Sequence, residues 1–147
     1  MISQKIIAYF KSKNWWYDEE LVAYQVALLN LDISLESDIA DFFLHAEYGP
    51  NFIGKKGEIL QLCWHIINTD YLKNSKSLRN SLGPPACLIP LTSFAGGGGY
   101  FYNKDTCGVL LIELGKHPLV TQDRLGSLQW DSFNDFLEFF FGIYTPG

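Results

Sequence analysis

The sequence predicts an α+β fold in which helices pack on a central, largely antiparallel sheet. Apolar residues recur at helical spacing near both ends of the chain, in residues 2–12 and 133–141. Between them, the apolar residues 100–102 and 109–114 flank a polar segment, which predicts a β-hairpin covered on both faces. Because 48% of the 147 residues are hydrophobic and 18% charged, we expect a single domain spanning residues 1–147.

Three helices are predicted in the N-terminal third. The first spans residues 2–12, and the second is expected to begin at Asp18, which suits an N-cap position before Glu19 and Glu20. The apolar side of the second helix is expected to comprise Leu21, Val22, Leu28 and Leu29. The third helix begins near Leu35 and ends at a Gly-Pro pair. Its buried stripe comprises Leu35, Ile39, Phe42, Phe43 and Ala46.

The rest of the chain predicts strands and one further long helix. Residues 59–67 are apolar and rich in β-formers, which indicates a strand, and a second strand is expected at residues 88–91. Ser132 then suits an N-cap and Gly142 a C-terminal cap for the last helix. Its apolar stripe comprises Phe133, Phe136, Leu137, Phe140 and Phe141. Trp130, just before it, is expected to pack in the core.

Four consecutive glycines precede the hairpin: Gly96, Gly97, Gly98 and Gly99. Glycine loses more backbone entropy on folding than other residues, so such a run requires a local reason. A turn or bulge is the favoured explanation, and close approach of a partner's backbone is the alternative. A phosphate-binding loop is disfavoured because no Gly-Lys-Ser/Thr ending follows and because the run enters a strand.

The negative charge of the chain is concentrated in one block. The net charge is −5, and residues 14–54 contain no Lys or Arg. Eight acids lie in that block: Asp18, Glu19, Glu20, Asp32, Glu36, Asp38, Asp41 and Glu47. A solvated helical surface is one interpretation, and an acidic face for a basic protein partner is the other. The candidate partner-binding acids are Glu36, Asp38, Asp41 and Glu47. A nucleic-acid partner is not expected, because it requires clustered Lys and Arg.

Three adjacent aromatic residues, Trp15, Trp16 and Tyr17, add a second candidate contact. Trp and Tyr are enriched among the residues that dominate binding energy at interfaces. Packing between two helices is the alternative for these side chains. They are therefore candidate partner-binding residues beside the four acids.

No catalytic, metal or cofactor site is expected. Asp38, Asp41 and His45 lie at metal-ligand spacing on a helix, but helix surfaces produce such triples by chance. Cys63 and His65 are expected to be a buried thiol and a hydrogen-bonded histidine rather than a nucleophile and its base. An odd number of cysteines without Cys-x-x-Cys spacing fits a reducing compartment. No signal peptide or apolar spanning helix is evident, so a cytoplasmic protein without a membrane partner is expected.

Three motifs, taken in order, resemble the SUKH superfamily. They are Leu-Ile-Pro-Leu at residues 88–91, the glycine run followed by Tyr-Phe-Tyr-Asn-Lys, and Trp-Asp-Ser-Phe-Asn-Asp-Phe-Leu-Glu-Phe-Phe at residues 130–140. That superfamily includes yeast regulators of β-glucan synthesis and killer-toxin resistance and many bacterial immunity proteins. The resemblance covers about residues 58–142 and implies an α+β domain without catalytic activity.

The resemblance and the charge together lead to a functional hypothesis. Bacterial members are thought to bind and neutralise a toxin, often a nuclease or a deaminase, and an acidic surface suits a basic toxin domain. The expected function is therefore that of a non-catalytic immunity protein that acts by occlusion. The alternative is a scaffold or regulatory module linked to cell-wall glucan synthesis. A small-molecule enzyme is least favoured, because no two candidate catalytic groups can be placed together from the sequence.

Overall fold

The computed structural model describes residues 1–54, 57–74, 88–92, 98–113 and 128–143, and it has an α+β architecture. The N-terminal elements are α1 (Gln4–Ser12), α2 (Val22–Leu29), α3 (Asp38–His45), β1 (Asn51–Gly54), β2 (Gly57–Leu60) and α4 (Leu62–Asn68). The C-terminal elements are β3 (Leu88–Pro90), β4 (Gly98–Asn103), β5 (Val109–Glu113), β6 (Leu128–Trp130) and α5 (Phe133–Phe141). The predicted α+β class is confirmed.

The strands of these described ranges form two antiparallel sheets that adjoin at one point. Strands β1 and β2 form a hairpin in which Asn51 lies opposite Leu60. The second sheet has the order β3-β4-β5-β6, with Phe101 opposite Leu110 at its centre. The backbone N–H of Leu60 donates a hydrogen bond of 2.8 Å to the carbonyl of Leu91, just beyond β3. This bond places the hairpin β1-β2 beside the four-stranded sheet.

The predicted hairpin is confirmed as β4 and β5. The side-chain oxygen of Asn103 accepts hydrogen bonds from the backbone N–H groups of Asp105 and Thr106, which shapes the turn. A Cβ atom at Gly108 would lie 2.5 Å from the carbonyl oxygen of Trp130, so only glycine fits there. In the glycine run, Gly98 and Gly99 pair with β5, while Gly96 and Gly97 lie outside the described residues.

Helix α5 begins and ends as predicted and buries its apolar stripe. The Ser132 side chain accepts a hydrogen bond from the N–H of Asp135, and Gly142 has a left-handed φ of 66°. The five apolar residues of the stripe are all buried. Phe136 contacts the rings of Tyr100 and Trp130 at centroid distances of 4.9 and 5.2 Å. The stripe therefore joins α5 to the four-stranded sheet, and the partly buried Trp130 packs against the core through this contact.

The strand predicted over residues 59–67 is wrong beyond Leu60, where the chain enters α4. The Gln61 side chain caps this helix by accepting a hydrogen bond of 2.8 Å from the N–H of Cys63. Its amide nitrogen donates hydrogen bonds to the carbonyls of Phe43 and Ala46, which lie at the C-terminal end of the preceding helix α3. Gln61 is fully buried and connects three parts of the chain. These tertiary hydrogen bonds override the strand propensity of the apolar run.

The second helix was predicted with the wrong start, and of the four residues predicted for its apolar side only Leu28 is buried. Helix α2 begins at Val22 rather than at Asp18, and its N-cap Leu21 provides no side-chain hydrogen bond. Its buried residues are Tyr24, Ala27 and Leu28, which face α3 and α4. By contrast, Leu21, Val22, Val26 and Leu29 are all more than half exposed. In α3 the predicted stripe is confirmed for its buried members, Ile39, Phe42, Phe43 and Ala46.

Candidate protein-binding site

The segment that precedes α2 is fixed along the C-terminal end of α3. The N–H of Tyr17 donates to the carbonyl of His45 at 2.8 Å, and the N–H of Glu47 donates to the carbonyl of Trp15 at 2.9 Å. Trp16 and Ala46 form an antiparallel bridge between these two bonds. This short pairing holds residues 15–17 in place and directs the following acids toward the start of α2.

The three predicted aromatic contacts have different environments. Trp15 is half-buried, with its ring 4.5 Å from that of Tyr48 between centroids. Trp16 is also half-buried and stacks on the His45 imidazole at 5.2 Å with an interplanar angle of 18°. Tyr17 is 54% exposed. Tyr17 is therefore the member of the trio that a partner can reach most readily.

Two of the predicted acids bind the start of the chain. Asp38 pairs with the terminal ammonium of Met1 and accepts a hydrogen bond of 3.2 Å from Asn134 in α5. Asp41 accepts the backbone N–H of Ile2 at 2.9 Å. The hydrogen bond to Asp38 raises the pKa of the Met1 amino group. These contacts connect α1 to α3 and α5, so part of the predicted acidic face serves the fold.

The other two predicted acids, Glu36 and Glu47, have different surroundings from Asp38 and Asp41. Glu36 is exposed, in the loop before α3. The Oε1 atom of Glu47 accepts a hydrogen bond of 2.7 Å from the hydroxyl of Tyr24 in α2. Burial raises the pKa of the Glu47 carboxyl, and the Tyr24 hydrogen bond opposes this effect. The four acids therefore have separate environments.

His45 connects α3 to the segment before α2. Its Nδ1 atom lies 2.6 Å from the carbonyl oxygen of Tyr17, and its Nε2 atom lies 3.0 Å from the Oε2 atom of Glu20. Asp41 is farther away, with its Oδ1 atom 3.8 Å from the same Nε2. Both near neighbours accept hydrogen bonds, so both bonds form together only when the ring carries two protons.

A pocket of about 270 Å³ opens between α2, the C-terminal end of α3 and the segment that precedes α2. It is lined by Tyr17, Glu19, Leu21, Tyr24, Leu44, His45 and Glu47.

The Cys63 thiol donates a long hydrogen bond of 3.6 Å to the backbone carbonyl of Tyr24. Burial raises the pKa of this thiol to about 12, which makes it a weak nucleophile.

The outer side of α2 presents apolar side chains to solvent. Val22, Val26 and Leu29 lie four and seven residues apart on one helical face and are 72%, 51% and 53% exposed. With neighbouring groups they form a surface that we name the α2 face. It consists of the apolar residues Tyr17, Leu21, Val22, Val26 and Leu29 and the exposed acids Asp18, Glu19 and Glu20.

The α2 face is acidic toward the N-terminal end of its helix. Lys104, from the turn after β4, donates to the carbonyl of Leu31 at the opposite end. A cation near a helix C-terminus is favoured by the macrodipole. This face is not evident in the sequence, because α2 contains one strongly polar residue, Gln25, and hydrophobic periodicity therefore does not distinguish its two sides.

Of the groupings considered in the sequence, Asp41 lies 3.8 Å from His45, whereas Asp38 binds Met1 and Asn134. Cys63 and His65 are two residues apart on the helix α4, so their side chains do not face each other. The His65 Nε2 atom lies 2.9 Å from the Oδ1 atom of Asn51, and burial lowers its pKa. Across the ranges described above, no three His, Cys, Asp or Glu side chains could hold a metal ion together. In the same ranges, no helix has the length and apolar character needed to span a bilayer.

Comparison with known proteins adds no relative to this description. No protein-family model, no curated protein and no solved structure matches the chain significantly. Membership of the SUKH superfamily therefore stays a prediction from the three sequence motifs, and the α2 face and its pocket carry the structural argument for function.

Proposed function

We propose that the chain is a non-catalytic immunity protein that binds a basic toxin domain through the α2 face and neutralises it by occlusion. The observation that carries this proposal is the combination of exposed apolar side chains with the exposed acids Asp18, Glu19 and Glu20 on one surface. In residues 14–54 the eight acids occur without any Lys or Arg. Such a surface suits a partner that presents apolar groups within a positively charged region.

The apolar part of the face supports burial by another protein. Val22, Val26 and Leu29 contribute little to the core, because each is more than half exposed. Contiguous exposed apolar groups rimmed by polar residues are typical of interaction sites. Burying side chains of this size contributes about 1.5–3 kcal/mol each when burial is complete. A partner that covers α2 would therefore gain affinity from this stripe.

The acidic part of the face supports a partner of opposite charge. Asp18, Glu19 and Glu20 lie together at the N-terminal end of α2 and are exposed. Nuclease and deaminase domains that hold nucleic acid carry positive charge near their active sites. Complementary charge raises the association rate and makes it sensitive to salt. The resemblance to bacterial immunity proteins supports the same partner class.

A cytoplasmic location belongs to this proposal. Among the described residues, Cys63 and Cys107 are both free thiols, and Cys63 is fully buried. Free thiols of this kind are typical of reducing compartments. An immunity protein is required in the compartment where its toxin acts, which is the cytoplasm for a toxin that attacks nucleic acid.

The test is binding and inhibition of a toxin domain encoded by a gene next to this one, and finding no such gene there would count against the proposal. We expect a complex in solution, loss of toxin activity on addition of the chain, and affinity that weakens as salt increases from low to high concentration. A neighbouring toxin domain that neither binds nor loses activity would overturn the proposal. Binding to a component of cell-wall glucan synthesis in its place would support the regulatory alternative.

A matched pair of variants locates the interface. Val26→Ser and Ile53→Ser both replace an exposed β-branched residue, 51% exposed on α2 and 63% exposed on β1 respectively. We expect Val26→Ser to weaken toxin binding about tenfold, as for an interface residue that loses about 1.4 kcal/mol. We expect Ile53→Ser to bind as the parent does. Equal affinity of all three proteins would show that α2 lies outside the interface.

A further inference from the structure

The pocket beside α2 combines acidic, aromatic and apolar walls. Glu19 and Glu47 contribute carboxylates, Tyr17 and Tyr24 contribute rings, and Leu21 contributes an apolar wall. Pockets for drug-sized ligands measure about 300–1,000 Å³. At about 270 Å³ this pocket suits a single long side chain.

The charge balance of the pocket is negative. His45 is its only basic lining residue among those described, and its Nε2 atom faces Glu20 at 3.0 Å and Asp41 at 3.8 Å. Glu19 is exposed, and the described residues place no Lys or Arg in an ion pair with Glu47. The negative end of the α3 macrodipole also lies here, because α3 ends at His45.

Glu47 is the group that most needs a positive neighbour. Its carboxylate is half-buried, and the group that donates a hydrogen bond to it within the described ranges is the neutral hydroxyl of Tyr24. Burial without a compensating charge raises the pKa of this carboxyl. A guanidinium or ammonium group in the pocket would form a charge-assisted hydrogen bond with it. The pocket lining also includes Tyr17 and Tyr24, and the ring face of a tyrosine attracts cations.

From this geometry we propose that the pocket receives an arginine or lysine side chain of the protein that binds the α2 face. This inference rests on the proposed function for the identity of the partner. The chemical claim, that the pocket recognises a cationic side chain, stands on the lining residues alone. The basic side chain would anchor the acidic end of the α2 face, and the apolar stripe of α2 would contact the surrounding surface.

The test is NMR titration of the whole chain with small side-chain analogues at neutral pH. The probes are Nα-acetyl-arginine amide, Nα-acetyl-lysine amide and the uncharged Nα-acetyl-norleucine amide. We expect at least one of the basic probes to cause saturable shifts at Leu21, Leu44 and Tyr24 in the tens of millimolar range or below. Norleucine amide is expected to cause no comparable shifts. Equal shifts with all three probes, shifts confined to other residues, or no saturation would overturn the inference.

Three variants connect these shifts to the pocket acids. Glu19→Gln and Glu47→Gln each keep the shape of the side chain, and we expect the pair together to weaken the basic probe about tenfold. Glu36→Gln is the matched control, because Glu36 is exposed and outside the pocket lining. If Glu47→Gln perturbs folding, the single variant Glu19→Gln can be tested in its place, because Glu19 is exposed. Equal affinity of Glu36→Gln and the pocket variants would contradict a role for these acids.

The two proposals fail in different ways. If the toxin domain binds α2 but the double variant Glu19→Gln/Glu47→Gln has parental affinity for it, the pocket inference is wrong and the proposed function stands. If the basic probes bind the pocket but the toxin domain does not bind the chain, the proposed function is wrong and the chemical specificity of the pocket stands.

Discussion

Helices α2 and α5 are similar in length and apolar content, yet the fold uses them differently. Helix α5 has nine residues and buries the whole of its phenylalanine-rich stripe. Helix α2 has eight residues and buries Tyr24, Ala27 and Leu28 while exposing Val22, Val26 and Leu29. Burial on folding explains why the stripe of α5 is apolar. It does not explain the three exposed apolar residues of α2, and these residues form the proposed interface.

The first prediction compares one side chain from each helix. Phe136→Ala removes a fully buried ring of α5 and is expected to lower the free energy of unfolding by about 3–5 kcal/mol. Val26→Ala on α2 is expected to change it by less than about 0.5 kcal/mol, because the site is exposed. Urea denaturation followed by circular dichroism measures both values. Phe136→Leu provides a milder change if the alanine variant does not fold.

Similar losses for Val26→Ala and Phe136→Ala would break the comparison between the helices. A large loss at Val26 would mean that the outer side of α2 packs against the protein itself. The apolar stripe would then belong to the core and would no longer indicate a partner.

The second prediction tests how closely α5 packs. A Cβ atom added at Gly54 would lie 2.7 Å from both the Cε1 atom and the carbonyl oxygen of Phe140. Gly54→Ala is therefore expected to lower the free energy of unfolding by about 1–3 kcal/mol. Thermal denaturation measures the change. An alanine variant as stable as the parent would show that the contact between β1 and α5 has room to adjust.

The third prediction concerns the pH dependence of stability near the pocket. Because burial raises the pKa of Glu47, the folded state binds this proton more tightly than the unfolded state. The contribution of Glu47 to stability is therefore largest at low pH and falls as the pH rises from the ordinary carboxyl pKa through the raised one. Glu47→Gln is expected to remove this part of the decline and to be at least as stable as the parent at neutral pH.

Urea denaturation of the parent and of Glu47→Gln at a series of pH values measures this difference. Glu36→Gln is the control, since its carboxyl is exposed and its profile should follow that of the parent. A parent whose stability relative to Glu47→Gln increases with pH over the same window would contradict the assigned direction.

The fourth prediction has the smallest effect on stability and compares two thiols. Cys63 lies buried on α4 beneath α2, and its pKa is raised to about 12 by burial. Cys107 is exposed in the turn between β4 and β5. Iodoacetamide is therefore expected to modify Cys107 much faster than Cys63 in the folded protein. Mass mapping of the labelled peptides measures both rates, and equal rates would indicate that α2 opens readily from α4.

Local sequence signals predicted helix α5 and the β4-β5 hairpin, but not strand β6. Ser132 and Gly142 mark the two ends of α5, and the spacing of its apolar residues marks the buried side. The hairpin β4-β5 was equally visible, because apolar strands flank a turn that Asn103 organises. These features depend on residues close together in the chain, which single-sequence reasoning can evaluate.

The errors have long-range causes. Helix α4 depends on Gln61, whose amide binds carbonyls of Phe43 and Ala46 that lie far earlier in the chain. The structural role of Asp38 depends on Asn134, which is 96 residues away. The acidic block of residues 14–54 is visible in the sequence, but the sequence alone does not show which of these acids contact other parts of the same chain. The sequence pattern therefore selected Asp38 and Asp41 for a partner and did not identify the pocket that contains Glu19 and Glu47.

Amide hydrogen exchange, measured on the chain alone and in complex with its toxin domain, would locate the interface most directly. We expect complex formation to slow exchange in α2 and in residues 17–21, while exchange in the β1-β2 hairpin stays as in the free chain. Slower exchange confined to the hairpin or to the four-stranded sheet, with α2 unchanged, would show that the α2 face is not the interface.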